Sequence, residues 1–312
     1  MNEQRKDLRF ILTGSSARKL KRAGVDLLAG RALFRSMHPF MAAELGGLFS
    51  LPEALTTGLV PLVIDSPDKK ESLSAYTGLY IREEVQLEGL VRNIGSFNRF
   101  LESISFSHGS VLNISDVARD CQVKRKTVEG YIAILEDLML AFMVPVFSKR
   151  AKRRLSAHPK IFFFDAGVFR VLRPAGPLDS PSEIAGAALE GLVFQHLRAW
   201  ISYRGSSDNL YFWRTKSGVE VDIVVYGPDT FCACEVKNTD KIHSKMLKGL
   251  VNFKHDYPEA EAYFLYRGKE RLMIKDIHCI PCEQFMLQLK LERSMRQGLA
   301  GRAGQKDITI ER

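Results

Sequence analysis

The stretch Gly218-Val219-Glu220-Val221-Asp222-Ile223-Val224-Val225-Tyr226-Gly227-Pro228-Asp229-Thr230-Phe231-Cys232-Ala233-Cys234-Glu235-Val236-Lys237 decides how this chain is read. It holds two β-branched and apolar runs on either side of Tyr226 to Thr230, which is turn chemistry, and so predicts two strands joined as a hairpin. In a strand, successive side chains alternate between faces, so Glu235 and Lys237 point the same way, as do Glu220 and Asp222. Pairing across the turn brings Asp222, Glu235 and Lys237 together on one face of a sheet. Two carboxylates hold a hard divalent cation, and an ammonium beside them stabilises charge on a phosphate or orients a water. Asp222 and Glu235 are therefore the expected metal ligands, with Mg2+ the expected ion and Lys237 the charged partner.

The flanking segments extend this unit. Residues 183–201 predict a helix with an apolar stripe of Leu189, Leu192, Val193, Leu197 and Trp200. Glu190 lies at the border of that stripe, able to turn toward the metal site or to pair with Lys237. His196 on the same helix reads as a surface or core residue. Beyond Lys237, residues 242–257 predict a helix, and Ala262 to Tyr266 and Ile277 to Ile280 predict strands that complete a mixed sheet. Asp followed by Glu-x-Lys in a helix–strand–strand–strand–helix–strand order resembles the restriction-endonuclease-like, PD-(D/E)xK core. That resemblance implies a catalytic set of Glu190, Asp222, Glu235 and Lys237. The segment after Leu291, rich in Gly, Arg and Gln, predicts a flexible basic tail over 292–312.

Composition bounds what the rest can be. The 312 residues give room for two or three domains, and 46% hydrophobic with 26% charged residues is ordinary for a globular protein. Lys plus Arg outnumber Asp plus Glu by 45 to 36, a formal charge of +9, which favours a polyanionic partner. The longest apolar run, Met139 to Phe147, falls short of the ~18 residues that span a bilayer and contains Pro145. The first residues lack the apolar core of a signal peptide, so a cytoplasmic protein without a membrane partner is expected. Five cysteines suit a reducing compartment. Cys232 and Cys234 lie on the strand face opposite Glu235 with no histidine at useful ligand spacing beside them, and Cys279-Ile280-Pro281-Cys282 is a lone Cys-x-x-Cys. All of these read as structural thiols rather than a zinc site.

The N-terminal stretch starts abruptly, with Arg9 to Thr13 reading as a buried strand that runs into Gly14-Ser15-Ser16 and a helix from Ala17. Leu27-Leu28-Ala29-Gly30-Arg31 and Leu45 to Phe49 follow with helical apolar spacing. Together with Pro39 to Leu45, these segments resemble the second half of an AAA-type ATPase domain, in the prokaryotic family whose C-terminal half carries a domain of unknown function of the DUF4143 type. The resemblance implies nucleotide-sensing roles for Ser15, Ser16 and Arg31, and ATP as a ligand at family level. No Gly-x-x-x-x-Gly-Lys-Ser/Thr occurs in the 312 residues, so no backbone cradle with a phosphate-binding lysine is offered. Ile161-Phe162-Phe163-Phe164-Asp165 mimics a magnesium-binding strand, but it follows the sensor segment and lacks a second acid. It reads as a buried strand. The chain thus looks like a truncated ATPase, without ATP hydrolysis of its own.

The middle predicts helices and a hairpin. Residues 51–75, with Pro52, Pro61 and Pro67, read as a linker. Helical spacing runs from Tyr76 to about Phe106, a short helix starts at Asn113 to Ser115, and a longer amphipathic helix spans Lys124 to Leu140. Strands at Leu140 to Phe147 and Lys160 to Phe164 complete a winged helix-turn-helix. Lys124, Arg125 and Lys126 open its second helix, and Lys149, Arg150, Lys152, Arg153 and Arg154 sit between its strands. Both clusters are candidates for salt-dependent, sequence-independent contact with DNA phosphates.

The expected fold is therefore mixed α/β and multi-domain: a partial AAA-type segment at 1–50, a linker at 51–75, a helical region with the winged helix at 76–175, and the endonuclease-like core at 183–291. The expected function is a DNA-associated member of the ATPase family with a nuclease-like C-terminal domain. The alternatives are an active metal-dependent DNA nuclease, and a protein-interaction module on an inactive nuclease-like fold. DNA is the expected partner, with another ATPase chain or a second copy of this chain as protein partners.

Overall fold

A computed structural model describes residues 35–80, 93–148, 158–228 and 230–299, together with residues 11, 13, 14, 33, 85, 91, 306 and 307. Ser15, Ser16 and Arg31 lie outside the described residues, as do Lys149, Arg150, Lys152, Arg153 and Arg154.

The first described elements are short helices: α1 (Ala42–Leu45), α2 (Leu51–Thr57), α3 (Pro61–Ile64) and α4 (Lys69–Ala75). They correct the expected linker at 51–75. Pro52 and Pro61 do not break structure there; each stands in the first turn of a helix, where its missing N–H costs nothing. Ser50 and Asp68 cap α2 and α4 through the backbone N–H groups of Glu53 and Glu71. Leu51, Ala54, Leu55, Leu59, Val60, Val63 and Leu73 are all buried, so this segment is core.

Next come α5 (Ile94–Ser105), α6 (Ile114–Asp120) and α7 (Arg125–Asp137), with α5 and α6 capped by Asn93 and Asn113. Strands β1 (Ala141–Val144) and β2 (Lys160–Phe163) pair antiparallel, Ala141 opposite Phe163 and Val144 opposite Lys160. The order in this region is helix, turn, helix and an antiparallel pair of strands. Helix α8 (Ala166–Leu172) follows, capped by the buried Asp165 through Gly167 N–H and Val168 N–H. Asp165 Oδ2 also accepts from Leu59 N–H at 2.7 Å, tying the end of α2 to the start of α8. The fit is tight: Gly58 has φ +74°, and a Cβ there would stand 1.9 Å from Asp165 Oδ1.

Helix α9 (Pro181–Arg204) is the axis of the molecule. It is apolar on most of its circumference, with Leu189, Leu192, Val193, Phe194, Leu197 and Trp200 all buried, as befits a helix walled in on several sides. One side meets the N-terminal helices; His196 Nε2 accepts from Ala42 N–H at 2.9 Å while its Nδ1 bonds Leu192 O. Another side packs on a sheet in the order β3-β4-β5-β6-β8-β7-β9. Its strands are β3 (Asn209–Arg214), β4 (Glu220–Tyr226), β5 (Phe231–Val236), β6 (Glu261–Tyr266), β7 (Leu272–Ile274), β8 (Ile277–Pro281) and the short β9 (Lys306–Asp307). The β3–β4–β5 meander is antiparallel, and β5, β6 and β8 run parallel. Helix α10 (Lys248–Asp256) makes the β5-to-β6 crossover and covers the opposite face.

One apolar core runs from Met41 through both sides of α9 to Leu299, and a second fills the space under α10. The continuity of the first joins the N-terminal helices to the sheet. It also corrects the start of the flexible tail expected over 292–312, the residues after Leu299 lying outside the described ones apart from 306 and 307: Met295–Leu299 forms helix α12, after α11 (Cys282–Gln288), and buries Met295 and Leu299. Met295 Sδ lies 3.4 Å from Cys232 Sγ. These two apolar residues, four apart on one helical face, outweigh the polar residues between them.

Candidate functional site

The β4–β5 hairpin closes as its sequence predicts. Tyr226 pairs with Phe231, Gly227 N–H donates to Thr230 O, and Ile223 pairs with Cys234. That register, continued by one residue, sets Asp222 opposite Glu235. There the ladder gives way to side-chain chemistry: Val236 N–H donates to Asp222 Oδ2 at 2.8 Å, which fixes the carboxylate at the strand end. Lys237 Nζ lies 2.6 Å from Glu235 Oε1 and 3.3 Å from Asp222 Oδ2. The three residues therefore converge. Glu235 Oε2 is buried and has no hydrogen-bond partner among the described residues. Helix α10 begins against this point, so closely that a Cβ on Gly249 would stand 2.1 Å from Glu220 O and 3.4 Å from Glu235 Oε2.

A second charged group adjoins the first. Lys160, opening β2, puts its ammonium 3.1 Å from Glu190 Oε1 and 2.5 Å from Glu220 Oε1, with only 4% of its side chain exposed. Arg214 adds a looser contact to Glu220 at 3.6 Å. Glu190 does turn from the border of the α9 stripe toward the site, but its cation is Lys160 rather than the expected Lys237. Sequence reasoning missed Lys160 and Glu220. A signal for Lys160 was present, since a lysine heads the run Ile161 to Phe164, and a charge leading into a buried strand needs a partner.

The electrostatics follow from burial. Desolvation, then repulsion from Asp222, pushes the Glu235 carboxyl well above the usual range, against the pull of Lys237. Desolvation also raises Glu190, with Lys160 opposing it and Asp222 adding to it. Burial works against the Lys160 ammonium, yet Glu190, Asp222 and Glu220 outweigh it and hold the group protonated. Lys237 is held protonated in the same way by Asp222 and Glu235. Among the described residues no three His, Cys, Asp or Glu side chains stand ready as a ligand set. What the site offers a hard cation is a pair of carboxylates in which the buried Glu235 Oε2 is unclaimed among the described residues.

The remaining candidates sort by position. Lys124, Arg125 and Lys126 are exposed at the start of α7, with Arg125 paired to Glu129 at 3.0 Å. Asp165 is a helix cap in the core, as far from a magnesium ligand as its sequence context suggests. His196 is a core residue, its ring neutral because burial pushes its pKa down to about 4. All five cysteines are buried and unbridged. No helix among the described residues is long and apolar enough to cross a membrane.

Comparison with known proteins divides the chain near the start of α9. Residues 48–179 match the family model described as Domain of unknown function (DUF8612), and residues 185–285 match the one described as Domain of unknown function (DUF4143). The chain is 24% identical over 287 residues to the uncharacterized protein Rv2008c of Mycobacterium tuberculosis and, equally, to the uncharacterized protein Mb2031c of Mycobacterium bovis. The match covers 89% of this chain and 63% of each relative, so the chain spans less than two thirds of their length. No solved structure matches it.

Proposed function

We propose that this chain is a DNA-associated protein of the AAA-type ATPase kind whose DUF4143 domain carries a nuclease-like, Mg2+-dependent phosphodiesterase site. The observation that carries this reading is the convergence of Asp222, Glu235 and Lys237 at one strand end, with Glu235 Oε2 buried and unclaimed. The α9–β3–β4–β5–α10–β6 order supports it, being the element order of restriction-endonuclease-like cores. The exposed Lys124-Arg125-Lys126 at the start of α7, and the β1–β2 hairpin after it, support a winged helix that holds DNA phosphates. These 312 residues contain no phosphate-binding loop, and ATP hydrolysis is not assigned to them.

The donor set fits a magnesium ion, which is commonly held by one or two carboxylates and completes its shell with water and substrate phosphate. Asp222 and Glu235 would hold it, and it would supply polarisation of a phosphoryl oxygen and of water. The chain's own residues do the rest. Val236 N–H fixes the Asp222 carboxylate, so its orientation is set before substrate arrives. Lys237, with 36% of its side chain exposed, can leave Glu235 and meet the charge that gathers on the phosphoryl oxygens. Hydrolysis joins the oxygen of water to phosphorus and breaks one P–O ester bond, leaving a phosphate monoester and an alcohol.

A second reading rests on one observation: each of the four acids has a lysine ammonium within 3.3 Å, two ammoniums shared between two pairs, so the cluster is already held together as an ion-pair lattice. On that reading the domain is an inactive nuclease-like fold serving protein contacts. Incubation of the full chain with supercoiled and single-stranded DNA plus Mg2+ or Mn2+, beside Lys237→Ala and Asp222→Ala, separates the two. Cleavage lost in both variants supports the first reading. Absence of cleavage and of salt-sensitive DNA retention by the wild type supports the second.

A further inference from the structure

Two acids of the DUF4143 domain, Glu190 on α9 and Glu220 at the head of β4, close on a single ammonium, Lys160 Nζ, at 3.1 and 2.5 Å. That ammonium comes from outside the domain, at the first residue of β2, within the span of the DUF8612 match. Carboxylate oxygens on a compact point charge that has given up its water are how a protein holds a hard cation. Lys160 is in that state: its side chain is 4% exposed, and its Nζ lies 5.3 Å from the centroid of the Phe212 ring. The neighbouring acid pair differs. Asp222 and Glu235 are served by Lys237, whose side chain is 36% exposed, and the buried Glu235 Oε2 has no partner among the described residues. One lysine is locked in place and the other can be displaced.

We infer that Lys160 fills the second cation position of this site with its own ammonium. The protein then takes up one divalent ion, at Asp222 and Glu235, and loss of the Lys160 charge opens a second position between Glu190 and Glu220. The inference rests on the metal-binding reading above for the first ion only. It makes the site composite: the helix–hairpin segment supplies one permanent cation to a centre whose acids all come from the C-terminal domain.

The test is the stoichiometry of Mn2+ binding to the full chain, read by titration calorimetry and by the bound-ion electron spin resonance signal. Wild type and Lys160→Arg are expected to bind one ion. Lys160→Met, which keeps an apolar stem against Phe212, is expected to bind two, and the double variant Lys160→Met/Glu190→Gln one. A Lys160→Met protein that is folded by circular dichroism and still binds a single ion overturns the inference. Wild type binding none while Lys160→Met binds one supports the Lys160 position and removes the metal reading of Asp222 and Glu235. None in either removes both. Should Lys160→Met unfold without metal, millimolar Mn2+ is expected to refold it, since an ion bound only by the folded state stabilises it; failure to refold also overturns the inference.

Discussion

Asp165 sets two large effects against each other, and its pH dependence shows which wins. Three backbone N–H groups, from Leu59, Gly167 and Val168, donate to its carboxylate, and such bonds by themselves depress a carboxylate's pKa. Full burial acts the other way and dominates, so the group rises from the ordinary 3.8 to about 6. A raised carboxylate pKa means that the folded state binds the proton more tightly than the unfolded one. The associated stability is therefore fully present below about pH 4 and is lost as pH rises through about 6. At ~1.4 kcal/mol per pH unit of separation, this loss is about 3 kcal/mol by pH 7. The comparison is Asp165→Asn, which keeps one acceptor oxygen for Gly167 and Val168 but cannot titrate. Its amide turns a donor toward Leu59 N–H, a mismatch of roughly 1–3 kcal/mol that is present at every pH. Urea unfolding of both proteins between pH 4 and pH 8 gives a difference curve in which the other titrating groups cancel. Wild-type stability relative to the variant should fall by about 2–3 kcal/mol across that range. A flat curve would refute the burial argument, and a rising one would mean that the three N–H bonds outweigh burial.

Three further outcomes are expected. Gly58→Ala should destabilise the fold by more than about 2 kcal/mol in urea unfolding, because its Cβ would meet Asp165 Oδ1 and its φ is positive; in an Asp165→Ala background only the backbone part, about 1–2 kcal/mol, should remain. Phe147→Ala should cost about 3–5 kcal/mol, since Phe147 is fully buried among Tyr211, Tyr226, Phe231, Phe253 and Tyr257; a loss under ~1 kcal/mol would show that this cluster does not hold the hairpin to the sheet. If Lys124, Arg125 and Lys126 bind DNA phosphates, their triple replacement by Ala should flatten the slope of log affinity against log salt by up to about 3, and an unchanged slope in gel-shift titrations would take α7 out of the interface.

How much of this was legible in the sequence depended on the range over which the information acts. The β4–β5 hairpin was readable because turn chemistry, alternation and the Asp222, Glu235 and Lys237 spacing all lie within about 20 residues. Helix α9 was readable from its continuous apolar stripe. The segment 51–75 was misread because Pro52 and Pro61 carry two meanings: proline breaks a helix from within but starts one well, and only the preceding Ser50 cap tells the two apart. Helix α12 was missed because Met295 and Leu299 are two apolar residues in a polar context, and Met295 packs on Cys232, 63 positions away. Lys160 illustrates the same limit at the site itself. Nothing local to it says that its partners are Glu190 and Glu220, since the pairing exists only once the hairpin has docked on the sheet.

That docking explains why the charged cluster and the hairpin belong to one functional argument. The hairpin's first strand continues beyond Val144 onto the edge of the C-terminal sheet: Phe147 N–H donates to Phe212 O at 2.7 Å, and Phe212 N–H to Pro145 O at 3.1 Å. Its second strand enters through Lys160, whose ammonium sits between Glu190 and Glu220. Phe147 and Lys160 are thus attached at β3 and at the head of β4, the strand that carries Asp222. One attachment is aromatic, through Phe147, and insensitive to charge; the other is ionic, through Lys160, and responds to any cation or proton that reaches the acids. In this fold the start of β2 and the charge state of the Glu190 and Glu220 carboxyls are linked through the Lys160 side chain.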